Sequence, residues 1–359
     1  MTTMLEQLEL MREKMRQMSE SEMQLVRGLG EALNVADERL REQVRQFALE
    51  HNERRSVALA QACDALGYHR YWVSEHHNSA SIVGTAPEIL MAAIAATTKR
   101  IRVGSAGVML PHYSAYKVAE QFRVLEAIAP GRIDLGLGRA PGTDQPTMRA
   151  LRRGLENADN FPRDVQEILA LFAPAGPNQM VQAVPGAGLN VPVWILGSST
   201  FGAQLAGILG LPYAFASHFA PDYLMLALKA YRERFQPSEY LERPLSMAGV
   251  QAVVAETDRE ARYLFTSMQQ AFTNMVRGTR GKMRPPIDDI ETYWSPMEKA
   301  QAQRMLTYAF VGSPDTVRKG LKAFIAETGV DEVIVAGSVF DHGARLRSYE
   351  LLAGIAGDL

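Results

Sequence analysis

From His69 onward the chain alternates strand-like apolar runs with helical stretches, and that alternation constrains the fold more than any other feature. The runs are His69–Glu75, Ile101–Leu110, Arg132–Arg139, Val191–Leu196, Tyr213–His218, Leu245–Ala255 and Glu332–Val339, with at least one helical pattern between each pair. Strands joined through helices run parallel, because a crossover returns the chain to the same end of the sheet. Seven such units point to a TIM-like (β/α)8 barrel in the α/β class with one strand unaccounted for. An open doubly wound sheet is the alternative. Against it, no G-x-G-x-x-G opens the first unit, since Gly136, Gly138 and Gly142 have the wrong spacing and Pro141 stands where a helix would begin.

Residues 1–55 differ from this pattern. They are rich in Glu, Arg, Gln and Met and contain no proline, and Met4, Leu8, Met11, Met15 and Met18 recur at steps of four and three. After a break at Gly28-Leu29-Gly30, Leu40, Val44 and Phe47 repeat a helix face. The reading is a helical N-terminal extension, packed on its own domain or serving as a dimer arm. Residues 56–359 form the barrel domain, with insertions near 174–190 and 277–311.

Charge and cysteine content narrow the partners. With 38 basic against 40 acidic residues the net charge is -2, which gives no electrostatic case for nucleic acid or an anionic membrane. Small molecules are expected instead. Cys63 is the only cysteine, so no intramolecular disulfide can form and no Cys/His metal spacing exists; no metal is expected. No run is long and apolar enough to span a bilayer and no signal-type segment opens the chain, so a cytoplasmic location is expected.

In a parallel barrel the chemistry gathers where strands end. There the chain places Glu75-His76-His77-Asn78, Ala106-Gly107 and Met109, Arg139, Gly197-Ser198-Ser199, and Ser217-His218. Arg139 lies in Gly138-Arg-Ala-Pro-Gly142, where glycines let a ligand approach the backbone; it is either an anion contact or a surface residue of a turn. Ser198 and Ser199 open a helix, whose free N–H groups favour an anion, or they act as ordinary caps. His76 and His77 are the best proton-handling candidates. Neighbours on a strand face opposite ways, so one can enter the site while the other packs or pairs with Glu75. No G-x-S-x-G elbow supports a serine hydrolase. His112 is a possible wall residue; His51 and His69 look structural or exposed.

From about residue 56 to its end the chain resembles the bacterial luciferase-like flavin monooxygenase family. The resemblance rests on Gly67-Tyr-His-Arg-Tyr-Trp-Val-Ser-Glu-His-His-Asn78, Ile101-Arg-Val-Gly-Ser-Ala-Gly-Val-Met-Leu-Pro111, Val118-Ala-Glu-Gln121, Pro130-Gly-Arg-Ile-Asp-Leu-Gly-Leu-Gly-Arg-Ala-Pro-Gly-Thr-Asp144, Trp194-Ile-Leu-Gly-Ser-Ser199 and Phe215-Ala-Ser-His-Phe219. It implies a TIM-like barrel, usually a homodimer, that binds FMN at the strand ends. Its phosphate would lie at Arg139, Ser198, Ser199 and the helix start near Gly202, with a cis peptide at Ala106-Gly107 behind the ring. His76 matches the histidine beside the reactive flavin, and His77, Met109 and His218 would border the substrate. The implied reaction uses reduced FMN and O2 to oxidise an aldehyde or similar small organic molecule, with reduced flavin coming from a separate reductase. A deazaflavin-dependent oxidoreductase, or a non-catalytic flavin-binding protein, is the alternative. One departure stands out: family members begin with a short barrel strand, and residues 1–55 offer only Leu25-Val26 in that place.

Overall fold

The computed structural model describes residues 38–359 apart from 80, 81, 83, 140–143, 153, 186–189 and 280. The chain divides into two compact units, Met1–His51 and Asn52–Leu359. In the first, the described residues 38–51 are helical and belong to α1 (Glu38–Leu66). The Met4 to Met18 face, the Gly28–Gly30 break and Leu25-Val26 lie outside the described residues.

The second unit is a nearly closed barrel of parallel strands clothed in helices. Its strands are β1 (Arg70–Val73), β2 (Arg102–Ser105), β3 (Val108–Met109), β4 (Ile133–Gly138), β5 (Val193–Gly197), β6 (Tyr213–Phe215), β7 (Ser246–Val254), β8 (Ala309–Gly312) and β9 (Glu332–Ala336). They follow the order β1-β2-β4-β5-β6-β7-β8, with β3 paired to β4 and β9 to β7. Around them lie α2 (Pro87–Thr97), α3 (Ala115–Ile128), α4 (Gln145–Ala150), α5 (Phe161–Phe172), α6 (Thr200–Leu209), α7 (Leu224–Arg234), α8 (Asp258–Val276), α9 (Pro296–Met305), α10 (Pro314–Thr328) and α11 (His342–Ala356). Among the described residues no strand pairs with the outer edge of β1, and β9 pairs with β7 alone. The gap therefore lies between β1 and β9, where all five residues of β9 are only half-buried.

Strict alternation explains what faces where. On β4 the side chains of Ile133, Leu135 and Leu137 are fully buried in the large core shared with the helices. Each contributes roughly 1.5–3 kcal/mol of burial. The residues between them, Asp134, Gly136 and Gly138, point into the barrel. On β7, Ala248, Val250, Ala252 and Val254 join the outer core with Val317, Leu321 and Phe324 of α10. Met247 instead joins Trp72, Trp194, Ala214, Leu196 and Ile334 in a separate interior cluster.

The barrel floor is a satisfied polar plug. Asp134 has no exposed side-chain surface and accepts from Arg70 Nη1 at 2.7 Å, Trp72 Nε1 at 3.1 Å, and Arg102 Nε and Nη2 at 3.0 and 2.6 Å. Arg70 also reaches across the gap to Glu332, its Nε and Nη2 donating at 2.7 and 2.9 Å. Above these charges Trp72 and Trp194 meet edge to face at 5.2 Å, with the Arg70 guanidinium 5.0 Å from the Trp194 ring.

Several boundaries differ from the sequence reading. Ile101–Leu110 is not one strand: it breaks after Ser105, and a 3-10 turn replaces its end at Leu110–His112. The insertion near 277–311 contains β8, which extends the sheet beside the upper half of β7 through Gln251↔Ala309 to Val254↔Gly312. Between β4 and β5 the helical pattern is not continuous: α4 ends at Ala150, and a 3-10 turn follows at Leu155–Asn160.

Candidate functional site

The upper end of the barrel begins with Glu75, which follows β1 and is almost wholly buried. Its Oε1 accepts from Tyr113 Oη at 2.7 Å and lies 2.7 Å from His77 Nε2; its Oε2 accepts from the Met109 backbone N–H at 2.9 Å. One carboxylate thus ties the end of β1 to β3 and the turn after it, with burial and then Glu75 raising the Tyr113 pKa. His77 and Met109 are held in this scaffold, and buried His112 meets the His77 ring at 5.9 Å. His69 is exposed. The His76 backbone N–H donates to Gly84 O at 3.1 Å, and His76 lies close enough to His218 to affect that group electrostatically.

The Ala106–Gly107 peptide is cis. A Cβ on Gly107 would stand 2.7 Å from Gly136 O, so this loop can approach β4 only with glycine there. Gly136 is itself confined, since its Cβ would meet Ser105 O at 2.1 Å. The inward positions of β4 above Asp134 therefore carry no side chain: Ser105 O and Leu196 fill the place beside Gly136, and only Gly138 is open, with Val108 O at 3.8 Å.

Arg139 is exposed, and its guanidinium lies 4.0 Å from the ring centre of Phe201 in the first turn of α6. Ser199 is the N-cap of that helix in extended conformation, and its side chain makes no capping bond. Ser198, Ser199 and Arg139 therefore share one helix N-terminus, where backbone N–H groups and the dipole favour an anion. Gly202 is buried where α6 crosses β5 and β6; a Cβ there would meet Ile195, Leu196 and Tyr213 at 3.5 Å. Tyr213 Oη, donating to Ser199 O at 3.2 Å, holds the helix start in place. Residues 140–143, which complete the glycine turn, are outside the described residues.

On the strand next to β5, His218 follows β6 and lies over Gly249, whose Cβ would be only 2.5 Å from His218 Nδ1. Burial, and next the neighbouring His76, push the His218 pKa down to about 4, so the ring is neutral at neutral pH. Gln251, not singled out from the sequence, points inward beside it, with Nε2 donating to His218 O at 3.3 Å. Its signal was a lone amide in the apolar run Gly249-Val-Gln-Ala-Val-Val254, at an inward position of the alternation. Higher on β7, inward Val253 packs with Phe265, Met268, Phe272 and Trp294, so α8 and the segment after it cover this side of the mouth. Among the described residues no group of three or more His, Cys, Asp or Glu could hold a metal ion, and no helix is long and apolar enough to cross a membrane.

A family model for luciferase-like monooxygenases matches residues 38–332. The chain belongs to the luciferase-like monooxygenase family. It is 50% identical over 305 residues to a luciferase-like monooxygenase of Escherichia coli (strain K12), covering 85% of this chain and 91% of that one. It is also similar to the crystal structure of apo-MsnO8, with a TM-score of 0.75 and 35% identity over 85% of this chain and 93% of that chain. The oxygenating constituent of 3,6-diketocamphane monooxygenase from the CAM plasmid of Pseudomonas putida, solved with FMN, shares the fold at a TM-score of 0.60 and 21% identity, covering 83% and 90%. This luciferase-like protein is thus an oxidoreductase of a flavin-dependent monooxygenase family on a TIM-like barrel. Its site suits a flavin in two respects: an open helix N-terminus with a stacked arginine for a phosphate, and a side-chain-free interior wall at Gly107, Gly136 and Gly138.

Proposed function

We propose that this luciferase-like monooxygenase binds FMN at the upper end of the barrel and uses reduced flavin and O2 to oxidise an aldehyde or similar small organic substrate. The observation that carries the reading is Arg139 stacked on Phe201 at the start of α6, whose N-cap Ser199 makes no side-chain capping bond. Reduced flavin, when bound, supplies the electrons and the site of reaction with oxygen. Arg139, Ser198, Ser199 and the α6 amides near Gly202 hold its phosphate. Ala106-Gly107 backs the ring, and His76 holds and moves a proton beside it. His77 and Met109 act on the substrate side through the Glu75 scaffold. Phe265, Phe272 and Trp294 exclude water from the β7 side.

Reduced flavin comes from a separate reductase in this reading, and the protein works as a cytoplasmic homodimer. Exposed Ile89 on α2 with Val124 and Ile128 on α3 supports a self-association face, because these two helices pack side by side. Residues 1–55 are an extension to the barrel domain 56–359. A deazaflavin would use the same anion site, and an absorption titration with each cofactor separates the two. The activity test is oxygen uptake with photoreduced FMN and decanal as probe. His76→Ala is expected to slow aldehyde-dependent uptake by about 100-fold or more; an unchanged rate contradicts the role given to His76.

A further inference from the structure

Glu75 offers one carboxylate to three partners that differ in their freedom to change roles. The Met109 backbone N–H, 2.9 Å from Oε2, can only donate. Tyr113 Oη, 2.7 Å from Oε1, donates or accepts by turning its hydroxyl. His77 Nε2, also 2.7 Å from Oε1, carries a proton in one neutral tautomer and none in the other. A carboxylate only accepts, so Glu75 selects the tautomer with the proton on Nε2. The acceptor of the neutral ring is then Nδ1.

Two contacts fix the His77 ring, the bond to Glu75 and the edge-to-face meeting with His112 at 5.9 Å. It is not sealed in: 13% of the His77 side chain is accessible, against none of the Glu75 side chain. The second carboxylate oxygen reaches a different part of the site. Met109, which it holds, belongs to the two-residue strand β3 that directly follows the cis Ala106–Gly107 peptide. One buried carboxylate therefore fixes both that wall and the tautomer of a partly open histidine. We propose that Glu75 is a positioning residue that keeps His77 protonated at Nε2, so that Nδ1 is the atom through which His77 accepts a proton during the reaction. Nδ1 forms an N–H bond with that proton, Glu75 faces the resulting imidazolium charge, and loss of the proton to water restores the neutral ring. No electron moves in this step. The proposal rests on the reading that the upper barrel is the active site.

Glu75→Gln separates positioning from scaffolding. The fixed Met109 donor takes the amide oxygen, so the amide N–H groups meet Tyr113 Oη and His77 Nε2. Tyr113 responds by accepting, and His77 by moving its proton to Nδ1. Ring-nitrogen NMR shifts of histidine-labelled protein, recorded at alkaline pH and assigned with His77→Gln, are expected to show Nε2–H in the unaltered protein and Nδ1–H in Glu75→Gln. Decanal-dependent oxygen uptake with photoreduced FMN is expected to fall by about 100-fold or more, with FMN affinity within about twofold. His77→Gln loses a similar factor, and the double variant loses no more than either single one. Tyr113→Phe removes a scaffold bond but leaves the tautomer, and keeps uptake within about threefold. An Nδ1–H tautomer in the unaltered protein overturns the proposal without recourse to any variant. An unswitched tautomer in Glu75→Gln overturns it, as does uptake retained after the switch. Equal losses in Glu75→Gln and Tyr113→Phe assign Glu75 to the scaffold and overturn it too. If the unaltered protein oxidises no aldehyde with FMN, the proposed function fails, while the ring-nitrogen shifts of FMN-free protein still decide whether Glu75 sets the His77 tautomer.

Discussion

The lower and upper halves of the barrel are built from the same strands by the same alternation, yet their inward polar groups have opposite fates. Below, Asp134 receives Arg70, Arg102 and Trp72, and Arg70 carries the network on to Glu332. Above, His218 Nδ1 and Gln251 Oε1 have no partner among the described residues, and the inward positions Gly136 and Gly249 carry no side chain because Ser105 O and His218 Nδ1 stand 2.1 and 2.5 Å from where their Cβ atoms would be. The floor is closed by charges that satisfy one another and two tryptophans that fill the centre. Trp194 Nε1 is its exception, buried without a partner among the described residues, with its ring beneath the Arg70 guanidinium. Satisfied polar groups specify the fold, and each buried polar group left without a partner calls for its own explanation.

The largest expected effect breaks the floor. Asp134→Ala leaves two arginines without their shared carboxylate inside the barrel and is expected to cost about 3–5 kcal/mol, read by urea denaturation. Stability unchanged within about 1 kcal/mol would mean that the plug is not what closes the lower half. Height in the barrel is not the deciding variable, and Glu75 shows this, being a fully engaged carboxylate at the upper end. Glu75→Ala strands Tyr113 Oη and the Met109 N–H and is expected to cost about 2–3 kcal/mol. Denaturation indistinguishable from the unaltered protein would remove Glu75 from the scaffold.

A smaller effect tests the space. Gly136→Ala places a Cβ 2.1 Å from the Ser105 carbonyl, a backbone atom that cannot rotate aside. The expected loss is about 1–3 kcal/mol together with weaker FMN binding. A stable variant that binds FMN normally would show that the upper wall has slack.

The effect that is smallest at any one pH step is a slope. His218 has a folded pKa of about 4 against the ordinary 6.5, so between these values the unfolded chain binds a proton that the folded chain does not. Stability from this group is complete above about pH 6.5 and declines as pH falls toward about 4, by at most about 1.4 kcal/mol per pH unit. His218→Gln removes that contribution from denaturation midpoints measured across the window. An identical pH profile for both proteins would place His218 in water and remove it from the interior.

How much of this was legible in the chain follows from what alternation can and cannot reveal. Arg132–Arg139 reads correctly as a strand because Ile133, Leu135 and Leu137 alternate with residues that cannot pack on helices, and the same pattern exposes the inward glycines. The pairing of one adjacent histidine with Glu75 is a consequence of opposite facing, and the structure assigns it to His77. The break at Ala106-Gly107 left no periodic trace, since valine and methionine resume the apolar run at once. Ala309–Gly312 was hidden because its four residues lie between helices. Asp134 and Arg102 stand 32 positions apart, and only the pairing of β2 with β4 brings them together. Gln251 was not singled out within Leu245–Ala255, although its inward parity distinguishes it from Val250 and Ala252.

The most direct measurement is the titration of the protein with FMN and reduced FMN by fluorescence anisotropy, alongside Arg139→Ala. A phosphate site at α6 predicts binding of at least one form that weakens by about 10- to 100-fold in the variant, the loss of a charge-assisted contact, while the melting temperature is unchanged. Binding of equal strength in both proteins would place the phosphate elsewhere, and no binding of either form by the unaltered protein would contradict the assignment of the upper barrel to a flavin.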